Sequence, residues 1–258
     1  MIVFSIITCT YNAEKVLQRT LDSMLEQTYS HVEHIIVDGA SSDATLPMAE
    51  DYRQKSDAED WCHEVRIKSE PDKGLYDAMN KGLQRATGQY VLFLNAGDTF
   101  PSPDTLELVA ESVGEGEEPP AVLYGDTDVV DDAGHFIRHR RLAAPRRLTW
   151  RSFMRGMLVC HQAFYARADL AKATPYDLRY RFSADVDWCI RIMRLARRQR
   201  LPMRNVGAVV VNFLDGGLTT AHHQASLRER FRVMTRHYGW LPTIAMHAWF
   251  VARSMLKR

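Results

Sequence analysis

The first half of the chain alternates apolar runs with amphipathic stretches. "MIVFSIITCTYN" and "VEHIIVDGASSDAT" open with apolar, β-branched residues and end in polar ones, which predicts two buried strands. Between them, "AEKVLQRTLDSMLEQTY" places apolar side chains three or four residues apart, which predicts an amphipathic helix. A helix over about residues 45–55, a strand at "EVRIKSE", a helix at "YDAMNKGLQRA" and a strand at "YVLFLNAGD" continue the pattern. We therefore expect an α/β fold with a mainly parallel central sheet flanked by helices.

The second half is less regular. "AVLYGDTDVVDDAGHFIRHRR" predicts a hairpin that turns at Asp132–Gly134, and "CHQAFYAR" predicts a further strand. "SADVDWCIRIMRLARRQR" predicts a helix opening on a Ser/Asp cap, and "NVGAVVVNFLDGG" a last strand before a basic helical tail. We predict one domain over residues 1–220, made of halves 1–100 and 101–220, and a tail over residues 221–258.

Composition narrows the class of protein. The 258 residues are 46% apolar and 25% charged, which suits one large globular domain. The four cysteines are widely spaced without a CxxC pair, which argues against a disulfide framework or a zinc site and fits a reducing cytoplasm. We find neither a signal-peptide pattern nor an apolar run long enough for a membrane-spanning helix.

The net charge of +1 conceals an asymmetry along the chain. Residues 1–137 hold 9 Lys and Arg against 26 Asp and Glu, whereas residues 138–258 hold 24 against 6. A basic face would attract anions such as diphosphates, nucleic acid or a phospholipid surface. An accidental split that serves only solubility is the alternative.

Polar residues follow three of the predicted strands, at Thr8–Asn12, Asp38–Asp43 and Asn95–Asp98. Ligands of doubly wound sheets bind at such strand ends. No GxGxxG follows the first strand, which weighs against a dinucleotide-dependent dehydrogenase, and no GxxxxGK[ST] occurs, which excludes a P-loop. A carboxylate with a divalent cation is the usual substitute, because the ion neutralises a diphosphate that Asp alone would repel.

Six segments together resemble family 2 glycosyltransferases. They are "SIITCTYN", "IIVDGASSDAT", "SEPDKGLYDAMNKG", "GQYVLFLNAGD", "CHQAFY" and "FSADVDW", in the family's order and spacing over about residues 2–220. Within the family the chain looks most similar to the colanic acid biosynthesis glycosyltransferases. The resemblance implies a GT-A nucleotide-diphospho-sugar transferase fold, a nucleotide-sugar donor and transfer with inversion at the anomeric carbon.

The resemblance also implies donor contacts. Tyr11 would pack near the base, and Asp38 would accept a hydrogen bond from it, unless Asp38 instead forms an Asx turn with Ser41. Strand-end capping is the alternative for Thr8 and Asn12. The implied donor-nucleotide residues are Thr8, Tyr11, Asn12, Asp38 and Asp72.

The metal site implied by the resemblance is reduced. Many relatives carry Asp-x-Asp where this chain has "NAGD", so Asp98 is the remaining carboxylate and Asn95 offers a carbonyl oxygen. We expect weakly held Mg²⁺ or Mn²⁺, with the donor diphosphate supplying further ligands. A simple strand-terminating turn is the alternative.

Inverting transfer needs a base that takes the proton of the acceptor hydroxyl. Asp185 stands at the family's base position, although Ala184 departs from the carboxylate that usually precedes it. Helix capping is the alternative for Asp185, and Asp187 is predicted as a cap or an acceptor contact.

Histidines supply further candidates. The resemblance places His161 and Gln162 against the acceptor or the donor sugar, with an internal strand His as the alternative. His222 and His223 fall where the fold often closes over the diphosphate, as a metal ligand or as an exposed pair.

Arginines alternate with aromatic residues in the tail, which suits an anionic membrane interface and also nucleic-acid binding. We predict a cytoplasmic protein, peripheral at the inner face of the cell membrane. Its predicted partners are a nucleotide sugar and a saccharide or polyprenyl-diphosphate-linked acceptor, without nucleic acid. Packing of the tail on its own domain or in a homodimer is the alternative. A nucleotidyltransferase and a non-catalytic nucleotide-sugar-binding protein stay open as other functions.

Overall fold

The computed structural model describes residues 1–58, 63–116, 118–216 and 223–255. Strand and helix alternate through the first half, as the sequence predicts, and the first two strands are buried at every residue. The elements are β1 (Phe4–Thr10), α1 (Glu14–Leu25), β2 (Val32–Asp38), α2 (Thr45–Asp57), β3 (Glu64–Ser69), α3 (Leu75–Arg85) and β4 (Tyr90–Phe93).

The second half contains the predicted hairpin, the predicted helix that carries Asp185 and two helices at the C-terminal end. Short 3₁₀ turns occur at Trp150–Arg155 and His161–Ala163. The elements are α4 (Thr105–Glu111), β5 (Val122–Val130), β6 (Phe136–His139), β7 (Phe164–Arg167), α5 (Ala168–Lys172), α6 (Ala184–Arg198), β8 (Met203–Leu214), α7 (His223–Tyr238) and α8 (Trp240–Met255).

The strands form one sheet in the order β3-β2-β1-β4-β7-β5-β6, with β8 beside β5. The pairs within β1–β4 and the β5–β8 pair are parallel, whereas β7 and β6 join their neighbours antiparallel. The α/β fold is therefore confirmed with a mixed sheet rather than a mainly parallel one. A short turn connects β5 to β6, which allows that pair to be antiparallel.

The parallel register sets the place of the site. Thr10 lies opposite Asp38 where β1 and β2 end, and Ile7 lies opposite Phe93 where β4 ends. Carboxyl ends of parallel strands meet at one edge of a sheet. The polar loops after β1, β2 and β4 consequently leave the sheet side by side.

One predicted strand is partly wrong. "CHQAFYAR" begins as the 3₁₀ turn His161–Ala163, in which the N–H of Ala163 donates to the Cys160 carbonyl at 3.0 Å. Only Phe164–Arg167 forms a strand. The turn frees His161 and Gln162 to contact side chains beyond the sheet.

The C-terminal helices pack on the domain. Val233 and Met234 of α7 are buried, and the Tyr238 ring stacks on Trp150 with centroids 5.4 Å apart. On α8, by contrast, Trp240, Leu241 and other apolar side chains are exposed. Among the described residues, no helix has the length and apolarity needed to cross a bilayer.

Candidate active site at the carboxyl ends of the strands

A cavity of about 1430 Å³ opens where the polar loops leave β1, β2 and β4. Tyr11 and Asn12 line it after β1, Gly39 after β2, and Asn95 and Asp98 after β4. The segment from Pro71 to Ala78 forms another wall, and residues near the start of α6 complete it, among them Leu178, Tyr180 and Arg181.

Tyr11 and Asn12 both occupy the mouth of the cavity. The Tyr11 side chain is 69% exposed, so its ring is accessible to a ligand in the cavity. Asn12 has a positive φ of 48°, and its Oδ1 accepts the N–H of Ser42 at 2.9 Å. Its own N–H donates to Ser41 Oγ at 2.8 Å. Asn12 thus ties the loop after β1 to the loop after β2 and fixes the backbone that presents Tyr11.

Thr8 lies below the cavity rather than in it. Its side chain is fully buried, and its hydroxyl donates to the Leu94 carbonyl at 2.8 Å and contacts His34 Nε2 at 2.9 Å. Thr10 lies two residues further along β1 and lines the cavity instead. The nucleoside contact that the sequence predicted for Thr8 is therefore wrong, because the cavity begins beyond the strand end.

The Asp38 carboxylate accepts hydrogen bonds from within the protein. Its carboxylate accepts the N–H and hydroxyl of Ser41 and the hydroxyls of Ser69 and Thr10, the last at 3.0 Å. Burial raises the pKa of Asp38, but these hydrogen bonds lower it more and leave it below its ordinary value. The four bonds occupy the lone pairs of an ionised carboxylate. The Asx turn with Ser41 is the alternative that the structure shows, and the predicted bond from the base to Asp38 has no acceptor position left.

Asp72 is one of the carboxylates that line the cavity. Its Oδ1 accepts the N–H of Gly74 at 2.7 Å, which holds the loop before α3. Its Oδ2 lies so close to Gly39 that a Cβ there would stand 2.5 Å away. Asp72 therefore sits against the loop after β2, with its Oδ2 near the backbone of Gly39.

The "NAGD" turn closes the end of β4. The Asp98 N–H donates to the Asn95 carbonyl at 3.0 Å, and Thr20 Oγ1 on α1 accepts the N–H of Gly97 at 2.8 Å. Gly97 has a φ of 98°, and a Cβ there would meet Leu214 Cδ2 at 2.6 Å. The glycine is required by both the backbone conformation and the contact with β8.

Asp98 is buried beside the cavity with 3% of its surface exposed. Its Oδ1 accepts the N–H of Leu214 at 3.0 Å, and its Oδ2 accepts Gln162 Nε2 at 3.1 Å. Burial raises the pKa of Asp98 to about 6, and the two hydrogen bonds counteract that rise only in part. A cation bound at this carboxylate would offset the cost of burying its charge.

The residues fit a divalent cation only as a partial ligand set. Asn95 Oδ1 is buried and finds no hydrogen-bond partner among the described residues, so it is available as an oxygen ligand beside Asp98. Within residues 1–58, 63–116, 118–216 and 223–255, no group of three or more His, Cys, Asp or Glu could hold a metal ion. Hard cations take six or more oxygen ligands. Most ligands would have to come from a diphosphate and water.

Asp185 occupies the first turn of α6 and is 17% exposed at its side chain. Tyr76, which lines the cavity, donates its hydroxyl to Asp185 Oδ1 at 3.3 Å, and His161 Nδ1 faces Oδ2 at 3.6 Å. Burial raises the pKa of Asp185, but the neighbouring His161 and the charge of Arg230 lower it more, so it lies below its ordinary value. Asp185 is thus an ionised carboxylate at neutral pH, joined to the cavity through Tyr76.

His161 and Gln162 lie behind the cavity and link its two sides. Asn95 Nδ2 contacts His161 Nε2 at 3.4 Å, while Gln162 holds Asp98. Both side chains are buried, which corrects the predicted acceptor contacts: they position the carboxylates instead.

Asp187 is a packing ion pair. Its side chain is fully buried; Arg191 Nε donates to its Oδ2 at 2.6 Å, and His237 Nε2 lies 2.7 Å from its Oδ1. Burial raises the pKa of Asp187, but the contacts with His237 and Arg191 lower it more, so the pKa lies below its ordinary value. The predicted acceptor contact is wrong, because two residues along a helix turn the side chain away from the face that bears Asp185.

The sequence missed three residues of the site. Tyr76 contacts Asp185, Thr10 lines the cavity where Thr8 was expected, and Arg181 lines it just before α6. His222 lies outside the described residues, as does the side chain of His223. Both therefore stay predictions.

Known proteins are similar to this chain in sequence and in fold. The description "Glycosyl transferase family 2" belongs to the family that matches residues 5–172. A "PGL/p-HBAD biosynthesis glycosyltransferase" of Mycobacterium bovis is 35% identical over 260 residues, covering 99% of this chain and 95% of the relative. That name does not refer to colanic acid, so the resemblance is confirmed for the family and not for its colanic acid branch.

Solved structures support the fold. S. aureus TarS 1–349 in complex with UDP-GlcNAc has a TM-score of 0.67 at 18% identity, covering 92% of this chain and 67% of TarS. Glucosyl-3-phosphoglycerate synthase from Mycobacterium tuberculosis, in complex with Mn²⁺, UDP and glucosyl-3-phosphoglycerate, has a TM-score of 0.60 at 16% identity, covering 92% and 80%. At these identities the likeness establishes a GT-A-like fold.

Proposed function

The chain belongs to glycosyl transferase family 2, and on that basis we propose an inverting enzyme that moves a sugar from a nucleoside diphosphate to an acceptor hydroxyl. The observation that carries the proposal is the contact of one imidazole, His161, with both sides of the cavity. Its Nε2 meets Asn95 at the expected diphosphate end, and its Nδ1 meets Asp185, the expected base. A donor between them would have its anomeric carbon within reach of both.

The donor would lie across the strand ends. Tyr11 offers an exposed ring for stacking on the base, and Asp72 offers a carboxylate to the nucleoside. UDP and UDP-GlcNAc bound to neighbours of the same fold support a nucleotide-sugar donor. The base, sugar and acceptor of this chain's own reaction are for a donor screen to identify.

Asp98 and Asn95 would hold Mg²⁺ or Mn²⁺ together with the diphosphate. The ion would neutralise the charge that builds on the departing nucleoside diphosphate. Mn²⁺ in a neighbouring structure supports this assignment. The affinity would be weak, because Asp98 is the one carboxylate of the proposed pair.

Asp185 would act as the general base. Its ionised carboxylate takes the proton of the acceptor hydroxyl while that oxygen bonds to the anomeric carbon and the bond to the diphosphate breaks. The attack comes from the side opposite the leaving group, and the configuration therefore inverts. The hydroxyl of Tyr76 and the imidazole of His161 hold the carboxylate in place.

The acceptor would be a saccharide or a lipid-linked saccharide of the bacterial surface, and a relative named as a PGL/p-HBAD biosynthesis glycosyltransferase supports a role in biosynthesis. The exposed apolar residues of α8 support binding to a membrane surface. Trp240, Leu241 and Trp249 are 63%, 83% and 44% exposed. Arg151 and Arg155 are exposed on the 3₁₀ turn that packs beside the C-terminal helices. An apolar helix face with arginines nearby matches the interface of an anionic bilayer.

Release of nucleoside diphosphate from a panel of nucleotide sugars tests the function. We expect one or a few donors, such as UDP-GlcNAc or GDP-mannose, to be turned over faster with Mn²⁺. Release of pyrophosphate from a nucleoside triphosphate and sugar phosphate would instead identify a nucleotidyltransferase. Tight binding of donors without turnover, in the presence of varied acceptors, would identify a non-catalytic binding protein.

A further inference from the structure

Three consecutive backbone amides just before α6 donate to one carboxylate. The carboxylate belongs to Glu229 on α7. Its Oε1 accepts the N–H of Arg181 at 2.9 Å. Its Oε2 accepts the N–H of Phe182 at 2.7 Å and of Ser183 at 3.1 Å. Hydrogen bonds to an ionised acceptor are roughly twice as strong as neutral ones, so Glu229 fixes the backbone of this segment.

This carboxylate holds the segment that leads into α6 and does not cap the helix itself, because the amides that it accepts precede Ala184. Ser183 stands at the N-terminal cap position of α6, but its side chain caps none of the helix amides. Its hydroxyl donates instead to the Ser226 carbonyl of α7 at 3.3 Å. The entry into α6 is therefore held by a second helix, 46 residues away along the chain.

The fixed segment connects a residue that lines the cavity with the proposed base. Arg181 lines the cavity, and Asp185 follows Ser183 by two residues in the first turn of α6. A second contact between the same helices, His237 with Asp187, lies on the other side of Asp185 along α6. Any shift of the amide segment would move the Asp185 carboxylate relative to Tyr76 and His161.

We propose that Glu229 is a positioning residue for the reaction: by holding the amides of Arg181–Ser183 it sets the place of Asp185, and α7 thereby completes the active site. This inference rests on the proposed function. Glu229 is not among the described residues that line the cavity, and it acts through the backbone. A displacement of about 1 Å at a catalytic group can lower a rate by about 100-fold.

Glu229→Gln tests the proposal because one carboxylate oxygen becomes an N–H₂ group, which cannot accept an amide proton. We expect kcat for nucleotide release, with water or a sugar as acceptor, to fall by about 10- to 100-fold. The dissociation constant of the donor should stay within about twofold, since the proposed donor residues Tyr11, Asp72 and Asp98 lie in the loops after β1, β3 and β4 and not in the segment that Glu229 holds. Glu229→Asp keeps the charge with a shorter reach and should lie between the parent and Glu229→Gln. Arg232→Gln, an exposed change on the same helix, is the control that should retain the parent kcat.

The split between kcat and donor affinity separates positioning from general stability. A Glu229→Gln protein with the parent's kcat per donor-binding site would overturn the proposal, and so would an equal loss of donor affinity and kcat. If Glu229→Gln does not fold, Glu229→Asp decides by the same split. A parent protein that turns over no donor under any condition would contradict the proposed function itself.

Discussion

Replacing Asp98 by Asn is expected to stabilise the metal-free protein at neutral pH while weakening its use of a metal. Burial raises the pKa of Asp98 from 3.8 to about 6, and the side chain is 3% exposed. In the unfolded chain the carboxyl loses its proton near pH 4, whereas in the folded protein it holds the proton until about pH 6. The folded state is therefore favoured at low pH, and this contribution is lost as the pH rises from about 4 to about 6.

The magnitude follows from the shift. About two pKa units at 1.36 kcal/mol each correspond to about 3 kcal/mol at pH 7, as an upper value. Asn keeps an oxygen for the N–H of Leu214, and the Gln162 amide can rotate to offer its oxygen to the new N–H₂ group. We expect a gain of about 1–3 kcal/mol, which for a domain of this size raises Tm by roughly 2–10 °C.

The assay is thermal unfolding of the parent and Asp98→Asn in chelator at pH 7.5 and pH 4.5. The gain should be large at the higher pH and clearly smaller at the lower one, where the folded parent keeps the proton on Asp98 and little of the burial cost has to be met. Asp57→Asn, at an exposed position of α2, is the control for removing one negative charge. An Asp98→Asn protein that is no more stable at pH 7.5, or whose gain at pH 4.5 is as large as at pH 7.5, would refute the reasoning.

Three further predictions concern the metal, the ion pair and the membrane. Mg²⁺ or Mn²⁺ should raise the transfer rate with weak affinity that declines below about pH 6 as Asp98 takes up a proton; undiminished transfer after exhaustive chelation would give Asp98 another role. Asp187→Asn should cost about 1.5–3 kcal/mol of stability in urea unfolding, because the partly exposed Arg191 and the buried His237 lose a charged hydrogen-bond acceptor; a loss below about 0.5 kcal/mol would contradict this account. The parent should bind anionic phosphatidylglycerol vesicles less tightly at high salt, and Trp240→Ser with Trp249→Ser should weaken that binding severalfold; equal binding by the double variant would show that α8 is not the docking surface.

Much of the fold was predictable because its signals are local. The alternation of apolar runs with amphipathic stretches predicted every element of the first half. The register then follows from the strands being parallel, which brings Thr10 and Asp38 to one edge. The hairpin of the antiparallel part was predicted. The strand predicted at "CHQAFYAR" was too long, because the sequence pattern did not distinguish its opening 3₁₀ turn from a strand.

The roles of individual side chains were less predictable because they depend on distant partners. Thr8 and Thr10 share one face of β1, and only the position of the strand end, about 7 Å further along, decides which one meets the cavity. Asp187 resembles a site residue until His237, 50 residues later, occupies it. Gln162 and His161 were found through the family pattern, but their contacts with Asp98 and Asp185 needed the folded chain.

The central claim is that Asp185 is the base of a transfer reaction, and the most direct test is the rate of Asp185→Asn. The substitution keeps the shape of the side chain and removes its basicity, so folding and donor affinity should match the parent. Loss of a general base lowers the rate by about 10²–10⁴-fold. We predict a loss in that range for sugar transfer at saturating donor, with an unchanged dissociation constant for the donor. Transfer by Asp185→Asn at near the parent rate would contradict the account.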